Sequence, residues 1–182
     1  MAIARDTEPL ALPLLAVMRQ ADAPIDAIMD AARARFGAVL ENSPEYSFDA
    51  FTNYYAAEFG TGLVKQIIIF AEPREQRFLM EDKLWSNALE QTSAPGSEKR
   101  IINLDPGYLT LSKLILASTK DHAQRIYLGQ GIWAEITLAW RGKSFERHPW
   151  SYPDYIARIP FLNRVREGMR ARLTKDLIVR LR

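Results

Sequence analysis

The sequence contains no cysteine. This absence excludes a disulfide framework, a zinc site built from thiolates and a cysteine nucleophile. It also fits a reducing compartment, so we expect a cytoplasmic protein. A signal peptide is not expected, because Asp6 and Glu8 precede the first apolar run, where a basic segment would be needed.

The chain also lacks a long hydrophobic run near its start. The run from Leu10 to Met18 has nine residues and contains Pro13, whereas a membrane-spanning helix needs about 20 apolar residues. We therefore predict a buried strand there and no membrane span. A Gly-x-x-x-x-Gly-Lys-Ser/Thr loop, which would cradle nucleotide phosphates, is missing as well.

The chain does have enough apolar sequence for a core of ordinary size. Of its 182 residues, 48% are hydrophobic and 25% are charged, so we expect residues 1–182 to form a single domain. The net charge is only +2, but residues 158–182 hold eight Lys or Arg against two acidic residues. This basic segment would suit nucleic acid or an acidic partner, or it is a solvated helix face.

Apolar periodicity predicts an α+β fold. Helical spacing indicates helices at 25–36, 78–91 and 161–181, the first of them ended by Gly37. Strand-like patterns occur at 10–19, 46–55, 63–71, 101–104, 108–117 and 125–141. The order β-α-β-β-α-β, extended by further antiparallel strands and a C-terminal helix, predicts a ferredoxin-like sandwich with its helices on one sheet face.

Six short segments occur in a fixed order along the chain. They are Tyr54-Tyr55-Ala56-Ala57-Glu58, Asn103-Leu104-Asp105-Pro106-Gly107-Tyr108, Ser118-Thr119-Lys120, Arg125-Ile126-Tyr127-Leu128, Ala134-Glu135-Ile136-Thr137-Leu138 and Tyr152-Pro153-Asp154-Tyr155. With them the chain resembles the family called domain of unknown function 4416 over nearly its whole length. The resemblance implies a bacterial or archaeal intracellular protein and implies no activity, so no catalytic residue is transferred.

The Asp105-Pro106-Gly107-Tyr108 segment fits a β-turn. Proline suits the second position of such a turn, glycine suits the third, and the aspartate can bond the backbone of the turn. The functional alternative is that a rigid turn presents Asp105 beside Asn103 and Tyr108. Asp105 would then act as a base or as an oxygen ligand for a hard cation such as Mg²⁺. No particular cofactor is predicted.

Positive charge gathers between two predicted strands, at Lys120, His122 and Arg125. With Ser118 and Thr119, these side chains offer hydrogen-bond donors for a phosphate or a carboxylate. His122 can also change its charge near neutral pH, which makes it a candidate acid or base. The alternative is an ordinary polar hairpin.

Glu135 is the carboxylate of the longest predicted strand. It shares a strand face with Tyr127 and Trp133, opposite a stripe of Ile and Leu. A carboxylate between aromatic rings can have a raised pKa and can act as an acid or a base. The alternatives are that this face is exposed, or that a helix covers it and Glu135 is paired.

Polar residues also accompany two aromatic clusters. Glu58 follows Tyr54 and Tyr55, and Asp154 lies between Tyr152 and Tyr155; such rings can stack on a base or a sugar, or can belong to the core and its rim.

The second predicted helix carries a polar face as well. Lys83, Asn87 and Glu90 lie at i, i+4 and i+7 and share one side of the helix. They would either line a cleft or form a solvated face.

Three functions remain open from these patterns. The leading hypothesis is a site for a small anionic ligand, with or without catalysis. The second is an RNA- or nucleic-acid-binding module that uses the basic residues 158–182. The third is a non-catalytic interaction or assembly subunit whose last helix docks on a partner protein or on a second copy. The candidate catalytic residues are Asp105, Glu135 and His122, and the candidate ligand-binding residues are Asn103, Tyr108, Lys120, Arg125, Tyr127, Glu58 and Asp154.

Overall fold

The computed structural model describes residues 8–92 and 100–172. Within them, ten strands form one antiparallel sheet. The strands are β1 (Leu10–Gln20), β2 (Val39–Asn42), β3 (Tyr46–Ser47), β4 (Leu63–Phe70), β5 (Arg74–Glu75), β6 (Ile102–Leu109), β7 (Lys113–Ser118), β8 (Ile126–Gly129), β9 (Ile132–Arg141) and β10 (Ser144–Arg147). The α-helices in the same residues are α1 (Asp26–Phe36), α2 (Ala56–Phe59), α3 (Leu79–Thr92), α4 (Pro153–Ile156) and α5 (Ile159–Arg172).

The sheet has the strand order β10-β9-β7-β6-β1-β4-β2. The short strands β3, β5 and β8 pair with β4, β1 and β9 beside this path. β1 lies near the middle of this order. It is apolar and almost entirely buried, so both of its faces need a covering layer.

Helices cover both faces of the sheet. Side chains alternate between the two faces along a strand, and Leu15 of β1 packs in a cluster with α1 and with Trp85 of α3. Leu14 packs on the other face with Leu162 and Val165 of α5. The prediction that the helices lie on one face is therefore wrong for the last helix, whose apolar stripe covers the face that α1 and α3 leave open.

Four of the predicted elements are confirmed to within one residue, as β1, α1, β4 and α3. Gly37 ends α1 with a φ of 85°, in the left-handed region that glycine tolerates. The predicted strand at 46–55 is wrong beyond Ser47, where the chain turns and forms α2. Its aromatic rings do not alternate across a sheet, because Tyr46 and Phe51 lie an odd number of residues apart and still pack in one cluster.

The stripe of Ile and Leu between residues 126 and 140 is only partly buried. Ile126 is 69% exposed and Ile136 is 40% exposed, whereas Glu135 and Thr137 are buried. β8 is a short edge strand that pairs with β9, so its outer side has no strand to cover it. The tight connection of this hairpin is formed by Gly129-Gln130-Gly131.

The last helix is described as far as Arg172. The end of the predicted helix, with Leu173 and Leu177, lies outside the described residues. Among residues 8–92 and 100–172, no helix is both long enough and apolar enough to cross a membrane. The fold is thus a mixed α+β arrangement with a large antiparallel sheet and a C-terminal helix.

Candidate functional site

The Asp105-Pro106-Gly107-Tyr108 segment lies inside β6 and is not a turn. It pairs along its whole length with β1, for example Pro106 with Leu15 and Asp105 with Ala16. The turn comes after β6, where the Thr110 N–H donates to the carbonyl of Lys113. The turn prediction is therefore wrong, and proline and glycine have a different use in this strand.

Pro106 and Gly107 mark the place where β6 and β7 separate. The two strands pair from Gly107 to Leu109 and no further toward the start of β6. Pro106 has no N–H with which to extend the ladder. At Gly107 a Cβ atom would lie 2.3 Å from the carbonyl oxygen of Ile115, so only glycine permits the close approach. Before this point the strands diverge and leave a gap in the sheet.

Side chains of α3 take over the hydrogen bonds that β7 would otherwise make. The Leu104 N–H donates to Glu90 at 2.6 Å, and the Leu104 carbonyl accepts from Lys83 Nζ at 2.8 Å and from Ser86 Oγ at 3.3 Å. Lys83, Ser86 and Glu90 are all buried. The polar side of α3 is therefore not a solvated face, and it is part of the sheet's hydrogen-bonding system.

A cleft of about 850 Å³ opens beside this gap. Its floor includes Lys65, Met18 and Asn103, which lie in one row across β4, β1 and β6. Asp105 follows on the same face of β6, two residues after Asn103. The walls come from residues 48–58, 118–125 and 152–155.

Aromatic rings form much of the cleft wall. They are Phe48, Phe51, Tyr54, Tyr55, Tyr152 and Tyr155. None of the four tryptophans, all of which lie in the described part of the chain, lines the cleft. The rings give the cleft apolar surface next to its charged groups, which is the usual composition of a small-molecule site.

Charged side chains line the cleft mainly as ion pairs. The pairs are Lys65–Asp154 at 2.7 Å, Lys83–Asp105 at 3.2 Å, Arg100–Glu58 at 2.8 Å and Arg125–Glu135 at 2.9 Å. Burying so many ions is costly unless each is paired and hydrogen-bonded. Their concentration around one cleft is the property expected of a functional site.

The Lys65–Asp154 pair is one of the two most enclosed of these, together with Arg125–Glu135. Asp154 Oδ2 accepts hydrogen bonds from Lys65 Nζ at 2.7 Å and from the Tyr46 hydroxyl at 3.0 Å. The ammonium of Lys65 also lies 4.6 Å from the ring centre of Tyr155 and 4.9 Å from that of Phe48. The lysine is thus held between two rings at the cleft floor.

Asp105 is held in its ionised form. Burial by itself would raise the pKa of Asp105, but the charges of Lys83 and Lys65 and hydrogen bonds from Lys83 and Asn103 hold it below its ordinary value. Asn103 donates its side-chain amide to Asp105 Oδ2 at 2.8 Å. The two residues therefore bond to each other.

Arg125 is almost fully engaged by the protein itself. Its Nε donates to Glu135 at 2.9 Å, one terminal nitrogen donates to Ser118 Oγ and to the Lys120 carbonyl at 2.7 Å each, and the other donates to the Tyr152 hydroxyl at 2.6 Å. A guanidinium has five N–H groups, so one remains. Arg125 therefore organises the cleft wall more than it offers donors to a ligand.

Two polar atoms, both buried and both on side chains that line the cleft, have no hydrogen-bond partner among the described residues. They are Glu135 Oε1 and the hydroxyl of Tyr155. The side chain of Glu135 is only 2% exposed, although its other oxygen accepts bonds from Arg125 and Gln124.

Eight of the ten predicted site residues line the cleft. They are Glu58, Asn103, Asp105, Lys120, His122, Arg125, Glu135 and Asp154. Tyr108 and Tyr127 do not. Tyr108 points to the other face of β6, because Asp105 and Tyr108 lie an odd number of residues apart in one strand. Tyr127 is exposed on β8, where its ring packs against Trp133.

Sequence reasoning missed Lys65 and Arg100. Lys65 is a single buried cation between Leu63 and Ile67 on an apolar strand, and a charge on the inward side of such a strand was the available signal. Arg100 precedes β6 and bonds Glu58 and Asn103. The sequence around Arg100 contains no motif that would have indicated this role.

The described part of the basic segment uses its cations within the chain. Arg164 of α5 pairs with Glu41 at 2.7 Å. Arg166 is buried and donates to the carbonyl of Leu111 at 2.7 Å. Among residues 8–92 and 100–172, no group of three or more His, Asp or Glu side chains is arranged to hold a metal ion.

The fold and the cleft define the class: a mixed α+β protein with an aromatic-walled, ion-paired cleft beside a split in its sheet. The profile of the family described as domain of unknown function 4416 matches residues 8–168. The chain therefore belongs to this family, as its sequence segments predicted. A search of curated proteins and a search of solved structures each found no match.

Proposed function

We propose that the cleft binds a small molecule through an anionic group, a carboxylate or a phosphate. The observation that carries the proposal is the pair of buried ammonium groups, Lys65 and Lys83, that line the cleft floor. Both contribute to holding Asp105 in its ionised form. Both therefore act on the same part of the floor, where an anion would share the two ammonium groups with Asp105 and Asp154.

The two lysines have hydrogen-bonding capacity left for a ligand. An ammonium has three N–H donors. Among the described residues, Lys83 Nζ donates to the Leu104 carbonyl and to Asp105, and Lys65 Nζ donates to Asp154. The other neighbours of Lys65 are ring faces, which attract a cation less strongly than an anion in a desolvated site does.

Lys120 and Arg125 have different roles in this proposal from the one expected from the sequence, which was to donate hydrogen bonds directly to the anion. Lys120 is exposed at the rim, where its ammonium donates to the Tyr54 hydroxyl at 2.8 Å. It would attract an anion to the mouth of the cleft, as surface charges do. Arg125 would hold Glu135 and Tyr152 in position.

If the site is also catalytic, Asp105, Glu135 and His122 are the residues that would carry the proton transfers. Asp105 stays ionised near neutral pH because its pKa is lowered by Lys83 and Lys65 against the effect of burial. It would therefore accept a hydrogen bond from the ligand and would act only as a weak base. His122 lies exposed at the rim.

The proposal is tested by calorimetry and thermal unfolding with phosphate, simple carboxylates and phosphate esters. A bound anion at 100 times its Kd raises the free energy of unfolding by roughly 2.7 kcal/mol. The test variant is Lys65→Met combined with Asp154→Asn, which removes both charges of one pair and leaves neither unpaired. The matched control is Lys143→Met, at an exposed turn.

Binding by the wild type and by Lys143→Met, with loss of binding in the double variant, is the expected result. If the folded double variant binds the same anions as tightly as the wild type does, the floor lysine is not part of the site. If no anion of these classes binds to the wild type at millimolar concentration, the proposal is wrong.

We also propose that β1, α1, β2, β4, α3 and β6 form a ferredoxin-like unit. Apart from the short β3, α2 and β5, these elements follow one another as β-α-β-β-α-β, and their strands are ordered β6-β1-β4-β2 with antiparallel neighbours. Residues of α1 and α3 pack on the same face. In this interpretation β7 to β10 and α5 are additions, and the cleft forms where the additions meet the unit.

A further inference from the structure

Two unpartnered polar atoms on cleft residues indicate which hydrogen-bonding groups a ligand would carry. Glu135 Oε1 and the Tyr155 hydroxyl belong to side chains that are buried to 98% and 99%, and neither atom has a partner among the described residues. A buried polar atom without a partner costs about 1–3 kcal/mol. Two such atoms on residues that line one cleft point to groups that a ligand supplies.

The surroundings of Glu135 favour a neutral donor. A carboxylate oxygen only accepts hydrogen bonds, so the ligand must donate. Arg125 already balances the charge of Glu135 at 2.9 Å. An ammonium would add an uncompensated charge there, at a cost in a buried site. A hydroxyl group satisfies Oε1 without that cost.

The Tyr155 hydroxyl requires an oxygen on the ligand. Burial, and then the charge of Asp154, raises the pKa of Tyr155 well above its usual range, so the hydroxyl keeps its proton and donates. A ligand hydroxyl can both donate to Glu135 and accept from Tyr155. Several hydroxyls on one carbon chain would serve both positions.

The rings of the cleft wall fit the same kind of molecule. Tyr54 and Tyr55 meet edge to face at 5.0 Å, and Tyr152 stands on the other wall beside Tyr155. Flat ring faces pack well against the C–H surface of a sugar-like chain, and tyrosine adds a polar tip for its hydroxyls.

We infer that the ligand is a hydroxylated small anion, a sugar acid or a sugar phosphate, whose charged group meets Lys65 and Lys83 and whose hydroxyls meet Glu135 and Tyr155. The inference rests on the proposed anion site and adds the second half of the ligand to it. Carboxylate and phosphate forms share this chemistry.

Matched compounds separate the two halves of the ligand in a calorimetric titration. Gluconate and hexanoate share a carboxylate and a six-carbon chain, and they differ in the hydroxyls. Glucose 6-phosphate and inorganic phosphate form the phosphate arm, and glucose is the neutral hydroxylated compound. We expect gluconate or glucose 6-phosphate to bind at least about tenfold more tightly than hexanoate or phosphate, a difference that one or two added hydrogen bonds supply.

Tyr155→Phe is the test variant, because its hydroxyl bonds no described residue and its removal leaves the apo protein at least as stable. We expect a loss of about tenfold in affinity for the hydroxylated anion and no change for hexanoate or phosphate. Tyr108→Phe is the matched control, since that tyrosine lies on the opposite face of β6. It should bind every compound as the wild type does.

The outcomes distinguish the two proposals. Equal affinity for gluconate and hexanoate, with no effect of Tyr155→Phe, overturns this inference and leaves the anion site standing. If glucose binds as tightly as gluconate does, the proposal that the ligand binds through an anionic group is wrong. Failure of every compound to bind the wild type overturns both proposals.

Discussion

Lys83 Nζ lies 3.2 Å from Asp105 Oδ1, although the lysine belongs to a helix on one face of the sheet and the aspartate faces the cleft on the other. The gap between β6 and β7 permits this contact. An ion pair therefore closes the opening that Pro106 and Gly107 create in the sheet.

Lys83→Met should destabilise the protein by about 3 kcal/mol, because it leaves Asp105 without its nearest charge and the Leu104 carbonyl without one of its donors. Chemical denaturation with urea measures the change. Lys143→Met, at an exposed turn, should change the free energy of unfolding by less than about 0.5 kcal/mol. Equal effects of the two substitutions would show that the pair contributes nothing to stability.

Asp105→Asn should lower stability in a pH-dependent way. The folded-state pKa of Asp105 lies below its ordinary value of 3.8, because Lys83 and Lys65 outweigh the effect of burial. A lowered pKa stabilises the folded state at pH values above the unfolded-state pKa, and this contribution disappears as the pH falls through the folded-state pKa.

The stability difference between wild type and Asp105→Asn should therefore be constant near neutral pH and should shrink below about pH 4. Denaturation midpoints measured from pH 7 to pH 3 show this directly. A difference that grows on acidification would contradict the predicted direction of the pKa shift.

Gly107→Ala should cost about 3 kcal/mol, at the upper end of the range for overpacking, because its Cβ would meet a backbone oxygen at 2.3 Å and cannot rotate away. Gly168→Ala in α5 is the control, since nothing lies within 4 Å of its added Cβ. That change should stabilise the protein by about 0.5–1 kcal/mol, because alanine favours a helix. Thermal unfolding of both variants should shift in opposite directions.

Arg100→Met should loosen the wall of the cleft formed by residues 48–58. Arg100 bonds both carboxylate oxygens of Glu58 and also bonds Glu90 and Asn103. Without it, α2 loses its tie to α3 and β6, and amide hydrogen exchange in residues 48–58 should quicken by about tenfold.

Arg164→Met removes an exposed arginine that pairs with Glu41 on another part of the molecule and should leave exchange in this wall unchanged. If amide exchange in residues 48–58 is as slow in Arg100→Met as in the wild type, the aromatic cluster around Phe59 is enough to hold this wall in place.

The periodic elements were predictable because their signal is local. The buried run of β1, the helical spacing of α1 with Gly37 after it, and the pattern of α3 each depend on a few neighbouring residues. The loop at 118–125 was also predictable as part of the cleft wall, because Lys120 and Arg125 lie at strand ends where polar side chains gather.

The role of the Asp105-Pro106-Gly107-Tyr108 segment was not predictable in the same way. Proline and glycine favour a turn when judged from their own conformations, and their place inside β6 depends on pairing with Leu15 and on the approach of Ile115. These contacts are distant in the sequence. The pairing of Lys65 with Asp154 was not predictable for the same reason, since the two residues are 89 positions apart.

The lack of tryptophan around the cleft has a practical consequence for spectroscopy. Trp85 belongs to the core beneath α1, Trp140 packs on Phe145, and Trp150 stacks on His148, whereas the cleft is lined by tyrosine and phenylalanine. Indole emission will therefore report the integrity of the fold with little direct quenching by an occupant. Occupancy should be followed through the absorbance of the tyrosines, so one sample yields two independent optical signals.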